Sequence, residues 1–346
     1  MRGFGFAQHG GLDRLTFVEV PAPVPGPDEV RVRIRAAAFN HLDRFTLEGI
    51  PGVSITVPHV LGSDGAGEVD RLGDGVSDLE IGAKVLLNPG MWDGSCAACR
   101  SGQEALCRNY RILGEHTQGT ATQFAVVPRR NVHPLPERMS FVEGAAAPLV
   151  FLTAWRALTT VGNVRPGDRV AVVGAGGGIS TAAVQVAKLL GASVAVVSRS
   201  SEKEAKVRAL GADAFLPFSE ARPMDRVLWE WSEKNGVDVI LDSVGTPTLS
   251  KSIRSLARAG RVVVIGATAG PTVELDLRTL FWRQASVRGS TMSSAREFRE
   301  VYDHLAAGRL RAVVDSAVPF EEAASGFGRF DAPDLFGKIV VRDPPG

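Results

Sequence analysis

Val170-Ala171-Val172-Val173-Gly174-Ala175-Gly176-Gly177-Gly178-Ile179-Ser180 sets the frame for the whole chain. Its first four residues are a short apolar run, and a glycine cluster follows at once. Beyond it Ile179, Ala183, Val184, Ala187 and Leu190 recur at helical spacing, and Gly191 supplies a stop. A second apolar run, Val194-Ala195-Val196-Val197, ends at Ser198-Arg199-Ser200. Strand, tight turn, helix, strand is a βαβ unit. Glycines lack a Cβ, so the backbone can approach a pyrophosphate closely, and the unpaired amides of the helix start can point at it. A glycine cluster between a strand and a helix, with a second strand about twenty residues on, reads as a dinucleotide site. The competing reading is a tight turn in some other α/β protein. Gly174, Ala175, Gly177, Gly178 and Ile179 are the residues that would carry the cofactor.

The chain has 346 residues, 45% of them hydrophobic, which is enough for two domains with separate cores. A net charge of +1 offers no broad electrostatic case for nucleic acid or a membrane surface. The start, Met1-Arg2-Gly3-Phe4-Gly5, has no apolar core of signal-peptide length, and no apolar stretch reads as long enough to span a bilayer. Three cysteines confined to Cys96–Cys107 do not resemble a secreted disulfide framework. A cytoplasmic protein acting on a small molecule is the expectation.

Working outward, residues 1 to about 90 are β-rich, with alternation such as Val30-Arg31-Val32-Arg33-Ile34 placing apolar side chains on one face. Residues 91–110 form a polar, cysteine-bearing lobe. From Ser140 the pattern turns helical. β/α alternation then runs to about residue 288, and a mixed segment closes with Lys338–Val341 as a strand. This pattern predicts an α/β protein with a Rossmann doubly wound parallel sheet over 131–289. A discontinuous β-rich domain over 1–130 and 290–346 flanks it.

Several stretches together resemble the medium-chain dehydrogenase/reductase superfamily, closest to its quinone-oxidoreductase and zinc-type alcohol-dehydrogenase-like branch. They are Leu61-Gly62-Ser63-Asp64-Gly65-Ala66-Gly67-Glu68-Val69, Ala146-Ala147-Pro148-Leu149 leading to Thr153-Ala154-Trp155, Gly174 to Lys188, Asp242-Ser243-Val244-Gly245, Gly260 to Gly266, and Phe336-Gly337-Lys338. The resemblance covers nearly the whole chain. It implies that the β-rich domain is a GroES-like catalytic domain and that a nicotinamide cofactor lies between the two domains. It also implies cofactor contacts at Val244, Gly266 and Lys338. The glycine motif of the quinone-reductase register falls on Ala175, Gly177 and Ser180, where Ser replaces the usual last glycine and remains small.

Zinc alcohol dehydrogenases hold a catalytic zinc with Cys, His and a further Cys or acid. The matching positions here are Asn40, Ser63 and one near Leu149. None is a soft zinc donor, so no catalytic zinc is expected. Asp43 matches the family's carboxylate behind the metal, and the hydroxyl-relay position is Leu42. His41 touches the cofactor phosphates by analogy with basic residues of relatives, or is simply a hydrogen-bonded histidine. Asp93, Cys96, Cys99 and Cys107 have the spacing D-x2-C-x2-C-x7-C, which with four cysteines binds a structural zinc in this family. Three thiolates and a carboxylate keep four ligands.

No carboxylate stands at the tip of the second Rossmann strand to bind a ribose 2′-OH. Ser198, Arg199 and Lys203 stand there instead and suit a 2′-phosphate, so NADP(H) is the expected cofactor. The expected reaction is hydride transfer to a quinone or an α,β-unsaturated carbonyl. Asn40 would meet the substrate carbonyl, Thr153 the nicotinamide, and Asp43 would hold the local network. No proton donor stands out, which leaves water. Two alternatives stay open: a zinc-type alcohol dehydrogenase with an altered site, and an NADPH-binding protein with little turnover. The resemblance also implies a homodimer, or a tetramer, paired through Ala285-Ser286-Val287-Arg288-Gly289.

Overall fold

The computed structural model describes residues 1–344. Its internal contacts divide the chain into two compact units, Met1–Leu149 with the residues from Ser294 onward, and Val150–Ser293. The boundaries expected at 130/131 and 289/290 therefore shift. Residues 131–149 belong to the β-rich unit because the strand Val132–Pro134 pairs antiparallel with Lys84–Leu87, and the helix Phe141–Ala146 packs on that unit's sheet.

In the first unit a seven-stranded sheet runs in the order Val132–Pro134, Lys84–Leu87, Asp64–Leu72, Glu29–Phe39, Lys338–Arg342, Val314–Pro319, with Phe124–Pro128 also paired to Glu29–Phe39. The long central strand alternates as the sequence predicts, with Val30, Val32 and Ile34 buried. They join Phe4, Phe6, Phe39, Phe320 and Phe327 in one core. Register decides what meets at the sheet end. Asp64 lies opposite Ala38, and Ile339 lies opposite Phe39. Both neighbours run antiparallel to the central strand, so its C-terminal end meets the starts of the other two. Asn40, Asp64 and Lys338 are thereby brought to one place.

In the second unit six parallel strands follow the order Ala214–Pro217, Ser193–Ser198, Arg169–Val173, Val237–Asp242, Leu256–Val264, Ser286–Gly289. Numbered from Arg169–Val173, this is 3-2-1-4-5-6, the order of a dinucleotide-binding Rossmann sheet, as expected. The order reverses beside Arg169–Val173, and that is where the glycine turn emerges. Opposite the edge strand Ala214–Pro217, Ser286–Gly289 forms the other edge. Beside it Leu277, Phe281 and Trp282 are exposed.

The helical run Phe141–Val161 corrects one expectation. Its 21 residues, with an 18-residue window of mean hydropathy 1.3, are enough to cross a bilayer by length and composition. However, 83% of that window is buried inside the protein, and a core helix passes the same test.

Candidate active site

The glycine turn has the geometry its sequence implies. Gly174 follows the strand with φ +92°, a conformation side chains resist. The helix Gly178–Leu189 then starts from Gly177, whose extended backbone offers no side-chain cap. A Cβ at Gly177 would meet nothing within 4 Å. The first amides of this twelve-residue helix are thus open to an anion. Ser180 is buried behind the turn, and a Cβ at Gly174 would lie 3.8 Å from its Oγ, so the serine fits where close packing is needed. Val244 and Gly266 follow the C-terminal ends of Val237–Asp242 and Leu256–Val264, on the same rim. Buried Asp242 shapes that rim, its Oδ1 accepting from the amides of Val244 and Gly245 at 2.9 and 3.2 Å. Arg199 is exposed just beyond Ser198 and forms no hydrogen bond or ion pair among the described residues. Lys203 stands at the N-cap position of the helix Glu204–Ala209, with no capping hydrogen bond from its side chain. Thr153 is buried on the helix Pro148–Arg156 of this unit.

The first unit holds a cluster of buried polar groups at the sheet end. Lys338, 3% exposed, donates from Nζ to Asp64 Oδ2 at 2.9 Å and to Asn40 Oδ1. Asn40 Nδ2 donates to the same Asp64 oxygen at 3.0 Å. The other oxygen, Oδ1, accepts from the Leu149 amide at 2.8 Å. Asp43 is equally committed, accepting from the Asn40 amide at 2.7 Å and the Gly62 amide at 2.6 Å. Burial pushes the Asp43 carboxyl up to about 6, against the pull of those two amides and of Lys338.

The resemblance placed Lys338 among the cofactor contacts, and here it is the partner of Asp64 and Asn40. Position by position, the three places where zinc-dependent relatives carry ligands supply an amide, a hydroxyl and a main-chain N–H. Ser63 Oγ is buried and has no hydrogen-bond partner among the described residues. The Lys338 ammonium provides the fixed cation among the carboxylates. His41 begins the helix His41–Glu48 with its ring 4.8 Å from that of Phe330. Burial, then Lys338 and Arg44, lower its pKa.

Sequence reasoning passed over Glu115. It is 7% exposed, and its Oε2 is buried with no hydrogen-bond partner among the described residues. Burial and the nearby Asp43 carboxylate push it up to about 7. The sequence signal was an acid next to a histidine in Leu113-Gly114-Glu115-His116, within a loop whose path no periodicity reveals.

In the cysteine lobe the ligand atoms of Asp93, Cys96, Cys99 and Cys107 all lie within 4.8 Å of one another. Cys96 Sγ and Cys99 Sγ are 3.5 Å apart, and the Cys99 amide donates to Cys96 Sγ at 3.5 Å. Asp93 is oriented by the Ser95 and Cys96 amides at 2.7 and 2.9 Å and by Asn109 Nδ2 at 3.0 Å. Four converging donors, three of them sulfur, form a set that can hold a tetrahedral metal.

A 3-2-1-4-5-6 sheet with an open glycine turn, in one chain with a GroES-like β unit, defines a two-domain oxidoreductase. Residues 26–137 match the family model described as "Alcohol dehydrogenase GroES-like domain", and residues 178–307 match the one described as "Zinc-binding dehydrogenase". The chain is 32% identical over 345 residues to a zinc-type alcohol dehydrogenase-like protein of Leptosphaeria maculans, covering 95% of this chain and 94% of that one. It is 31% identical over 325 residues to an acryloyl-coenzyme A reductase of Metallosphaera sedula, covering 93% and 95%. A crystal structure titled as an NAD-dependent alcohol dehydrogenase superposes with a TM-score of 0.93 at 38% identity, over 99% of this chain and 100% of that one. The chain belongs to the medium-chain dehydrogenase/reductase superfamily.

Proposed function

We propose that the chain is an NADP(H)-dependent oxidoreductase that delivers hydride to a quinone or an α,β-unsaturated carbonyl without a catalytic zinc. The observation that carries this reading is the donor set around Asp64. Asn40, Ser63 and the Leu149 amide offer no thiolate or imidazole, and Lys338 already neutralises Asp64. Zinc binds nitrogen and sulfur ligands and would be held poorly by an amide and a hydroxyl.

The network gives Asn40 a single useful orientation. Its Oδ1 faces the Lys338 ammonium and its Nδ2 faces Asp64, so the amide cannot flip without placing like against like. One Nδ2 hydrogen is left to donate to a substrate carbonyl oxygen, where negative charge develops as hydride arrives. A bound dihydronicotinamide supplies that hydride. Thr153 would contact its nicotinamide, and the glycine turn would cradle the pyrophosphate. Ser198 and Arg199 favour the phosphorylated cofactor because a guanidinium pairs well with a 2′-phosphate. Asp93, Cys96, Cys99 and Cys107 would hold one structural zinc. The Ser286–Gly289 edge, with Leu277, Phe281 and Trp282 exposed beside it, would pair with a second copy, since an apolar open edge invites pairing.

The test is oxidation of NADPH and NADH against quinones, enones, aldehydes and ketones, with metal content and sedimentation measured on the same sample. Reduction of quinones or enones with NADPH, about one zinc per chain and a dimer are expected. Aldehyde reduction favouring NADH, with two zincs per chain, would replace this reading by that of an alcohol dehydrogenase.

A further inference from the structure

Hydride transfer to a conjugated carbonyl leaves an enolate that must gain a proton at carbon. The polar groups of the Asp64 network are mutually committed and offer none freely. Ser63 Oγ, Glu115 Oε2 and Thr46 Oγ1, the last on the helix of Asp43, are buried with no hydrogen-bond partner among the described residues, and the first two concern the step here. They stand on adjoining backbone. Gly114, at φ +79°, packs so closely on Gly62 and Ser63 that a Cβ there would lie 2.4 Å from the Gly62 carbonyl oxygen and 3.1 Å from the Ser63 amide. His59 Nε2 braces this packing, 3.0 Å from the Gly114 carbonyl oxygen. Ser63 is fully buried, and a hydroxyl and a carboxyl oxygen left unpaired in such a place cost free energy unless a ligand uses them.

We propose that Glu115 supplies the proton that completes reduction of a conjugated acceptor, with Ser63 Oγ holding the same part of the substrate. The inference rests on the hydride-transfer reading above. In the step, the β-carbon would take the hydride pair that a bound dihydronicotinamide supplies, and the C=C pair would shift to form the enolate. The Glu115 O–H bond then breaks as the α-carbon–H bond forms. The resulting carboxylate is reprotonated from water.

The groups around Glu115 favour its protonated form. Asp43 is the neighbouring carboxylate. His116 Nδ1 lies 3.7 Å from Glu115 Oε2 and accepts from the Ile112 amide at 3.2 Å. Burial and Arg111 lower the His116 pKa, which disfavours the cation that would hold Glu115 ionised. A carboxyl held up to about 7 is matched to proton transfer at neutral pH.

The experiment compares 2-cyclohexenone with 1,4-benzoquinone as acceptors for NADPH in the wild type, Glu115→Gln and Glu115→Asp, between pH 5 and 9. The hydroquinone takes its protons on oxygen, where exchange with water is fast, so quinone reduction has no need of a positioned carbon acid. For Glu115→Gln we expect kcat with the enone to fall about 10²-fold and quinone reduction to hold within a few fold. The wild-type enone rate should drop as pH rises through about 7, and the variant should lose that limb. Glu115→Asp should recover part of the enone rate; if Glu115→Gln fails to fold, the pH limb and acceptor ratio of Glu115→Asp decide alone. An equal loss with both acceptors, or an unchanged enone profile, would overturn the proposal. Wild type that reduces the quinone and not the enone overturns it too while leaving the proposed function standing. Reduction of neither, despite NADPH binding, removes both.

Discussion

The molecule holds two candidate cation sites of opposite construction. The cysteine lobe draws its four donors from residues 93 to 107, and the backbone turns of that segment bring them together. The Asp64 cluster draws its members from residues 40, 64 and 338, and only the pairing of three strands joins them. The first offers soft sulfur donors to a metal, and the second surrounds an ammonium with hard oxygens. Local spacing was enough to suggest the lobe. The cluster depends on register across a sheet, which spacing along the chain does not encode.

Removing a ligand from the lobe is the hardest test of this contrast. Zinc binding in small folding peptides is worth about 10–16 kcal/mol. Cys107→Ser should therefore lower zinc content from about one per chain toward zero and expose residues 91–110 to proteolysis. Retention of full zinc content would mean that the metal sits elsewhere.

Lys338→Met probes the other site. It strands Asp64 as a buried charge, and breaking such a pair costs about 3–5 kcal/mol. Urea unfolding of the β-rich unit should show this loss, and Lys338→Met combined with Asp64→Leu should recover much of it. Zinc content should not change in either variant. A single variant as stable as the wild type would show that the ammonium is dispensable.

Glu115→Gln sharpens the comparison through pH. The folded carboxyl titrates at about 7 against an ordinary 4.5. Between those values the folded state binds more protons than the unfolded one, so this group lowers stability as pH rises through the window. Above it the penalty is fully present, of the order of 3 kcal/mol. Thermal melts should show Glu115→Gln gaining on the wild type at pH 8 and little difference at pH 4.5. A gain of equal size at both pH values would mean that desolvation of the charged form is not the cause.

The smallest effect belongs to the Rossmann unit. Arg199→Ala should weaken NADPH binding by about one to two decades and leave NADH nearly unchanged. The difference should shrink with salt, because the residue is exposed. Equal losses for both cofactors in titrations would make Arg199 a plain surface residue.

The sequence by itself determined the Rossmann unit closely. Strand, glycine turn and helix are contiguous, so period, turn chemistry and composition all act within some thirty residues. The same locality made the D-x2-C-x2-C-x7-C lobe readable, and residue identity alone argued against zinc at Asn40 and Ser63. Tertiary structure decided the rest. It assigned residues 131–149 to the β-rich unit through one short strand and one helix. It turned Lys338 into the counter-ion of Asp64 from 274 residues away. It also buried Glu115, next to a Gly114 that packs on Gly62 and Ser63, with its Oε2 lacking a hydrogen-bond partner among the described residues. Burial and charge proximity set the chemistry of these groups. Both are properties of strands meeting in space, which no run of neighbouring residues records.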